Sequence, residues 1–510
     1  MPISTPVKQS KCSARSFWPG LTSLSGCFHI TGQNGFKSDW GAGRGSLVGR
    51  SGRQLSWDAR TMTDHHAQES TQGEGMNRHR ILVGISATLT LSAALAACGT
   101  TPVPGSEDSI RNAANASGVT ALSIVKRDDG GLNVTGKLSG NAFAARIPAS
   151  WNGYSVLEAH GYQLPTASEV VPSPTGPATN PLGDPSFGLL SAAYAQGYAA
   201  ANTAYAKTGY AVKEGVAANK ALHDFLEKVG SKGQYITGIS MGGNITVALA
   251  EKYPNDFVGA LPYCGVVAGW RAEQRYLFDF RVVYDFYTRG TPYALPGNGD
   301  AATVNAALTV PVVQSAVVNL FTAAGGGDRA AQAIIVQIAS VAGTPGDVVS
   351  FITPLASTVY GLADYLATAG GTGYSNVGKT YRGSFDDVAL NTGVQRIALA
   401  ANDTSSAYLD AHYTPTGKFT ARMLSFHNTS DPLVPYSFEP EFRGIVAAVG
   451  NSANLVQQTV QAKAVDNTAA SGPAHCYFSQ KEVVGAWNDL RNWVENGVKP
   501  TDGKDITNKS

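Results

Sequence analysis

Several features that mark whole classes of protein are scarce or missing in this chain. Charge is low and balanced, with 38 Lys+Arg against 37 Asp+Glu in 510 residues, so no basic surface for nucleic acid is expected. The five cysteines are too few for a disulfide scaffold, and no two have the CxxC spacing that binds structural zinc. The motifs GxxxxGK(S/T), GxGxxG after a strand, and HExxH are also absent. We therefore expect no cofactor, no metal and no nucleic-acid partner.

Long apolar runs are scarce too, and the one that stands out lies inside the chain. In residues 76–98 a basic start is followed by an uncharged apolar stretch and by small residues that end at Cys98. This is the layout of a secretory signal peptide, and its ending resembles the lipobox of bacterial lipoproteins, in which the cysteine is lipidated. The alternatives are a buried alanine-rich helix or a short transmembrane span, although the run is short for a span and no basic residues follow it.

A signal peptide has to be N-terminal, and this requirement decides how the residues before it are interpreted. We expect residues 1–75 to be a disordered upstream extension from a misassigned start, with translation beginning at Met76. Residues 76–97 would be the signal peptide, and residues 98–119 a tether between a lipid on Cys98 and the folded protein. The folded part would then be exported and held on the bacterial cell envelope by its lipid anchor.

Residues 120–265 and 421–510 show short apolar strands that alternate with helical patterns. This alternation predicts an α/β fold, with a mostly parallel sheet covered by helices on both faces. The predicted strands are 132–136, 141–147, 154–159, 198–202, 234–239, 257–263, 422–427 and 455–462. The predicted helices are 188–196, 211–228, 241–253, 437–448 and 479–496.

The alternation breaks between residues 266 and 420, where Ala/Val/Leu-rich helical stretches are separated by glycine runs. An insert between sheet strands usually lies over the strand ends, so we interpret 266–420 as a large helical cap. Its aromatic segment, 270–287, either forms the core of this cap, which is the commoner role, or lines a substrate site.

The segment Gly238-Ile239-Ser240-Met241-Gly242 matches the pattern GxSxG. It directly follows a predicted strand and opens an amphipathic helix. A nucleophile elbow requires this strand–turn–helix setting, because small residues on both sides let the backbone turn sharply and expose the serine hydroxyl. The alternative is a glycine-rich turn with an incidental serine. We take Ser240 as the candidate nucleophile.

A serine hydroxyl needs a histidine to remove its proton and a carboxylate to orient that histidine. After this type of elbow the acid and then the histidine follow in chain order. His475 lies in a loop before the last predicted helix, where the base is expected, and Asp431 follows strand 422–427 in a turn that would bring it beside that loop.

Other residues compete for these two roles. His427 ends a strand and is more simply a structural histidine, whereas His412 is expected at the surface. Asp403 follows a short alanine-rich run and is the main rival acid, whereas Asp410 has no strand before it. Asp431 also has a structural interpretation, as an Asp-Pro turn that starts a helix.

An oxyanion hole requires two backbone N–H groups aimed at the developing negative charge. One is expected from Met241, the residue after the nucleophile. The other is expected from the loop that follows strand 154–159, from either Gly161 or Tyr162. A glycine in that loop permits close approach of the backbone.

Together these motifs resemble the α/β-hydrolase superfamily over residues 130–265 and 420–497. The residues that carry the resemblance are His160-Gly161, GISMGG at 238–243, SDPLVP at 430–435 and the His475 loop. Trp151-Asn152-Gly153 and His475-Cys476 further resemble secreted esterases of the feruloyl-esterase, tannase and polyester-depolymerase kind. The resemblance implies an α/β-hydrolase fold and a serine esterase.

In the tannase-like group, a cysteine directly before the serine pairs with the cysteine after the histidine. Here that position is Ile239, so Cys476 is left to pair with Cys264, which ends strand 257–263. A disulfide would fix the His475 loop, and an exported protein permits one. Two buried free thiols are the alternative.

Three functions remain open. The first is an esterase that forms an acyl-enzyme and acts on a small-molecule or polymeric ester. The second is an exported serine peptidase with the same residues, for which Glu273, Asp279 and Asp285 of the cap would bind a substrate amine. The third is a non-catalytic binding protein on a hydrolase fold. The sequence does not fix the substrate or the oligomeric state.

Overall fold

The computed structural model describes residues 102–165, 186–462 and 474–508. The predicted extension 1–75, the predicted signal peptide 76–97 and Cys98 lie outside these residues. Within the described residues, no helix combines the length and apolarity required to cross a lipid bilayer.

A nine-stranded sheet forms the centre of the described part of the chain. Its strands are β1 (Thr120–Lys126), β2 (Leu132–Leu138), β3 (Asn141–Ile147), β4 (Tyr154–Ala159), β5 (Ala199–Thr203), β6 (Gly233–Ile239), β7 (Gly259–Tyr263), β8 (Arg422–Asn428) and β9 (Leu455–Val460). They are arranged in the order β1-β2-β3-β5-β4-β6-β7-β8-β9. Strands β1, β2 and β3 pair antiparallel with one another, and β3 also pairs antiparallel with β5. The remaining pairs, from β5 through β4 to β9 in this order, are all parallel.

Helices connect these strands. They are α1 (Glu107–Ala116), α2 (Leu189–Ala195), α3 (Val212–Val229), α4 (Met241–Lys252), α5 (Trp270–Thr288), α6 (Val310–Gly325), α7 (Arg329–Ala342), α8 (Val348–Tyr360), α9 (Leu362–Ala369), α10 (Asp387–Gly393), α11 (Ser405–Tyr413), α12 (Phe438–Ala448) and α13 (Gln480–Asn496).

The central strands of the sheet are buried on both faces, as their apolar residues predict. Alternate residues of each central strand are buried in two different hydrophobic cores, one on each face of the sheet. Leu157 and Ile236 pack with residues of α1, α3, α4 and α12, whereas Val156 and Tyr235 pack with residues of α2 and α13. The strand order, the helices on both faces and the parallel direction of the central strands are those of the α/β-hydrolase fold, as the sequence predicts. Every strand and helix that the sequence analysis specifies is present, with ends within two residues.

The predicted tether at 98–119 is wrong for the residues from 107 onward, because these residues form α1. Ser106 begins this helix by accepting a hydrogen bond from the Ser109 amide at 3.2 Å. Ile110, Ala113 and Ala114 then bury a narrow stripe against α3. The stripe is short and mostly alanine, so it is easily missed in a polar segment. The strand β1 that follows was not predicted either.

Residues 266–420, called here the helical insert, contain α5 to α11 between β7 and β8. The insert has a hydrophobic core of its own, in which Phe280 and Phe351 meet edge to face at 5.5 Å. Phe278, Phe280 and Tyr284 of the aromatic segment 270–287 are buried in this core. Most of that aromatic segment therefore stabilises the insert.

Candidate active site

Ser240 occupies the turn between β6 and α4 with the backbone angles φ 57° and ψ −121°. A residue with a side chain rarely adopts a positive φ, and such strain is found mainly at functional sites. The turn places Ser240 at the carboxyl end of the central strand, where its side chain is partly exposed. This is the geometry that the GxSxG segment predicts.

Glycines make this sharp turn sterically possible. A Cβ on Gly238 would overlap the Gly242 carbonyl, and a Cβ on Gly242 would overlap the carbonyl of Ala159, the last residue of β4. A Cβ on Gly243 would likewise overlap the Cα of Gly265, which follows β7. The elbow therefore lies against both neighbouring strands without intervening side chains.

His475 lies beside Ser240, as predicted. Its Nε2 atom is 2.8 Å from the Ser240 hydroxyl oxygen, and its Nδ1 atom is 2.9 Å from both carboxylate oxygens of Asp431. The His475 side chain is 13% exposed, which leaves it open to a small reactant. Residues that are separated by up to 235 positions in the chain thus form one continuous hydrogen-bonded series.

Asp431 is held by its own turn and by the histidine loop. Its Oδ1 accepts the backbone N–H groups of Leu433 and Val434, both at 2.9 Å, and its Oδ2 accepts that of Cys476 at 3.0 Å. Burial by itself would raise the pKa of Asp431, but the charge and hydrogen bond of His475 outweigh this effect and lower it. The carboxyl group is therefore ionised at neutral pH.

Cys264 and Cys476 form a disulfide, which closes one of the alternatives left open by the sequence. Cys264 directly follows β7, and Cys476 directly follows His475. Both cysteines have positive φ angles, 40° and 54°, as Ser240 does. Three of the strained non-glycine residues among those described therefore lie at this one site.

The candidate oxyanion residues also meet near the nucleophile. Gly161 lies beside the elbow, such that a Cβ there would be 3.3 Å from the Ile239 carbonyl oxygen and 3.5 Å from Ser240 Cβ. His160 stacks on Tyr205 at 3.7 Å and its carbonyl accepts the Tyr205 hydroxyl, which fixes the start of the loop. Met241 follows Ser240 as the buried first residue of α4. The backbone of Gly161 is therefore close to the Ser240 side chain.

The sequence analysis did not predict a buried polar network behind Asp431. His427 is fully buried, and its Nε2 donates to the Val434 carbonyl at 2.8 Å while its Nδ1 faces Glu439 at 3.2 Å. Glu439 also accepts hydrogen bonds from Ser425 and Gln457, each at 2.6 Å. Both ring nitrogens face acceptors, an arrangement that favours the doubly protonated ring. The only feature of the sequence that indicated this network was a polar residue, His427, at the end of an apolar strand.

Burial alone would lower the pKa of His427, but the hydrogen bond and charge of Glu439, with the charge of Asp431, raise it. Val434 connects His427 to the acid. Its carbonyl accepts a hydrogen bond from His427, and its backbone N–H donates one to Asp431. His427 is thus a structural residue that supports the acid turn, in agreement with its expected role.

The rival residues are engaged elsewhere. Asp403 accepts the Thr372 amide at 3.0 Å, and Asp410 pairs with Arg271 at 2.9 Å. Burial and the nearby Lys252 lower the pKa of His412.

Two of the three insert acids that could bind an amine are also paired inside the insert. Asp279 accepts the hydroxyl groups of Tyr374 and Tyr381, both at 2.7 Å, and Asp285 pairs with Arg281 at 2.8 Å. Glu273 is buried, and its Oε2 atom has no hydrogen-bond partner.

Two groups of side chains within the described residues have the spacing of metal ligands. One joins Asp431, His475 and Cys476, but Cys476 is in a disulfide and offers no thiolate. The other joins His223, Asp224 and Glu227 on α3, and there both His223 ring nitrogens already have protein partners at 3.0 Å.

No protein-family model and no curated protein sequence matches this chain. Among solved structures, it is similar to feruloyl esterase B from Aspergillus oryzae, with 12% identity, a TM-score of 0.41, and coverage of 75% of this chain and 88% of that one. It is also similar to Candida antarctica lipase A in its closed state, with 12% identity, a TM-score of 0.36, and coverage of 77% and 85%. For the tannin acyl hydrolase from Aspergillus niger the identity is 14%, the TM-score 0.34, and the coverage 75% and 83%. At such low similarity the activity has to be argued from the site itself.

Proposed function

We propose that this protein is a serine hydrolase that cleaves carboxylic esters. In this proposal Ser240 is the nucleophile, His475 the general base and acid, and Asp431 the residue that orients His475. The observation that carries it is the 2.8 Å contact between His475 Nε2 and the Ser240 hydroxyl. Contacts of this length allow the histidine to take the serine proton as the oxygen attacks.

The reaction would proceed in two halves. Ser240 attacks the ester carbonyl while His475 accepts its proton, and His475 then gives that proton to the departing alcohol. The acyl group remains bonded to Ser240 until water, activated by His475, releases it as the acid. Asp431 favours the first step because its negative charge stabilises the imidazolium that forms.

The negative oxygen of the tetrahedral intermediate would be bound by backbone N–H groups. We assign one of them to Met241 and the other to Gly161 or Tyr162. Support comes from the close approach of Gly161 to Ser240, with no side chain between them. One such donor contributes about 2.7–4 kcal/mol in a comparable site.

Ester cleavage is favoured over the peptidase alternative by the state of the insert acids. An amine-binding site needs free, ionised carboxylates. Those of Asp279 and Asp285 are engaged by residues of the insert, and burial disfavours the ionised form of Glu273 by raising its pKa. A non-catalytic role is disfavoured by the hydrogen-bonded series Ser240–His475–Asp431, because a binding protein has no need of it.

We further propose that the enzyme is exported and anchored through a lipid on Cys98, with a small-molecule or polymeric ester as its substrate. The pattern of residues 76–98 supports export. The Cys264–Cys476 disulfide supports it independently, because such bonds persist in oxidising compartments. Mass spectrometry of the membrane fraction should then find an acylated Cys98 and no peptide from residues 1–75.

The central test is hydrolysis of p-nitrophenyl esters of increasing acyl length, with and without a serine-directed phosphonate. The wild-type protein should turn over at least the short esters, and the phosphonate should block turnover by labelling Ser240. Ser240→Ala should lose at least about a thousandfold in kcat with an unchanged circular dichroism spectrum. Retained activity in Ser240→Ala, or turnover of aminoacyl anilides alone, would contradict the proposal.

A further inference from the structure

Glu273 differs from Asp279 and Asp285, the other acids of α5, in making no side-chain hydrogen bond or ion pair within the described residues. It lies in the first turn of the helix, only 3% of the residue is exposed, and its Oε2 atom has no hydrogen-bond partner. Asp279 and Asp285, on the same helix, are both engaged by protein side chains. A buried carboxyl group without a partner is unfavourable, so its retention here points to a partner outside the protein.

The surroundings of Glu273 place it beside the proposed catalytic residues. On one side it is close enough to Asp431 to feel the charge of that carboxylate. One helical turn onward, the Tyr276 hydroxyl donates to the carbonyl of Pro432, the residue after Asp431, at 2.9 Å. The first turn of α5 is therefore fixed directly over the acid turn.

Glu273 is also near Tyr360 of α8, which packs against the loop that follows β4. Tyr360 is close enough to Glu273 to interact with it electrostatically, and its ring packs against that of Tyr162 at 6.2 Å between centroids. Tyr162 belongs to the proposed oxyanion loop, and its own buried hydroxyl has no hydrogen-bond partner. Glu273 therefore lies between the acid turn and the oxyanion loop, the two elements that flank a substrate bound at Ser240.

The charge state of Glu273 limits what it can bind. Burial raises its pKa well above the usual range, and the negative charge of Asp431 raises it further. Burial therefore favours the neutral carboxylic acid, which offers one O–H donor together with acceptor oxygens. A hydroxyl group matches that pair of functions, whereas an ammonium group would require the ionised form.

We propose that Glu273 binds a hydroxyl group of the substrate, so that the enzyme selects esters that carry a hydroxyl near the reacting carbonyl. This inference rests on the proposed ester hydrolysis at Ser240. Selection follows because an ester without the hydroxyl leaves the buried Glu273 oxygen unpaired in the complex, which costs binding in the transition state.

The first experiment compares matched ester pairs on the wild-type protein. p-Nitrophenyl butyrate and p-nitrophenyl β-hydroxybutyrate differ by one hydroxyl on the acyl part, and ethyl butyrate and hydroxyethyl butyrate by one on the alcohol part. In at least one pair kcat/KM should favour the hydroxylated ester by about tenfold or more. Equal kcat/KM values within both pairs, or a preference for the plain esters, would overturn the inference.

The second experiment assigns the preference to Glu273. Glu273→Leu should bring the ratio of kcat/KM within the selective pair close to one, and the loss should fall on the hydroxylated ester. Glu273→Gln keeps a donor and an acceptor and should retain most of the ratio. Glu441→Leu is the matched control, since Glu441 is exposed and pairs with Arg275 at the surface. An unchanged ratio in a folded Glu273→Leu would overturn the inference.

The outcomes separate this inference from the proposed function. If the wild-type protein hydrolyses no ester and the phosphonate does not label Ser240, the proposed function fails, and the inference fails with it. If esters are hydrolysed without any hydroxyl preference, only the role of Glu273 fails. The wild-type ratios need no variant, so they decide the matter even if Glu273→Leu does not fold.

Discussion

The disulfide between Cys264 and Cys476 joins the end of β7 to the residue that directly follows His475. The backbone N–H of the same Cys476 donates to Asp431. One residue therefore attaches the histidine loop to the sheet by a covalent bond and to the acid by a hydrogen bond. The position of His475 relative to Ser240 depends on both.

Removal of this disulfide should affect activity as well as stability. We expect Cys264→Ala/Cys476→Ala to lower the free energy of unfolding by about 2–4 kcal/mol, because the bond restricts the unfolded chain. kcat/KM for a short ester should fall by about tenfold to a hundredfold, because His475 is less well positioned. Urea unfolding and p-nitrophenyl butyrate kinetics measure the two effects.

Reductant provides the control for that experiment. It should lower the activity of the wild-type protein and leave the double variant unchanged. Full activity in a protein whose disulfide is shown by mass spectrometry to be reduced would mean that the histidine loop is held by other contacts.

The strained backbone of Ser240 should lower the stability of the folded protein. Ser240→Gly should be more stable than Ser240→Ala by about 0.5–1 kcal/mol. Glycine adopts φ 57° without strain, and we expect this gain to exceed the larger loss of conformational entropy that glycine undergoes on folding. Neither variant should hydrolyse esters. Urea unfolding of the two variants provides the comparison, and a less stable Ser240→Gly would show that the turn is not strained.

Gly242 should tolerate no side chain, because a Cβ would overlap the Ala159 carbonyl. Gly242→Ala should lower the free energy of unfolding by about 3 kcal/mol or more and remove activity. Gly485→Ala on α13 is the matched control, since no atom lies within 4 Å of the added Cβ. It should stabilise the protein by up to about 1 kcal/mol. Similar effects of the two substitutions on thermal unfolding would contradict this account.

His427 should make stability depend on pH in a defined direction. Its pKa is raised in the folded protein, so its contribution is complete below about pH 6.5, the unfolded value, and is lost as pH rises through the folded value. His427→Gln keeps a donor for the Val434 carbonyl and loses the charge. It should be less stable than wild type by about 1–3 kcal/mol at pH 6, with a smaller difference at pH 9.

His412 supplies a control of opposite sign, because its pKa is lowered in the folded protein. Relative to wild type, His412→Gln should therefore gain stability as pH falls below about 6.5. Urea unfolding between pH 5.5 and 9 measures both variants. A difference between wild type and His427→Gln that does not change with pH would exclude a charged His427.

Much of the fold could be predicted from local patterns in the sequence. Alternating strands and helices specified the parallel sheet, because apolar runs with a period of two or 3.6 residues bury only in those forms. The GxSxG segment identified the elbow because the sharp turn leaves no room for side chains at its glycines. The helix α1 was missed because Ile110, Ala113 and Ala114 form too small an apolar stripe to stand out in a polar segment.

By itself, the sequence determined which residues could perform chemistry: a serine in a sharp turn, and a few acids, histidines and cysteines placed after strands. Only the tertiary structure decided among them. Asp431 rather than Asp403 meets His475, Cys264 is bonded to Cys476, and of the three insert acids only Glu273 makes no side-chain hydrogen bond or ion pair in the part of the chain that the structure describes. The physical reason is that hydrogen bonding and burial depend on distances between residues far apart in the chain, and only the folding of the sheet and insert sets those distances.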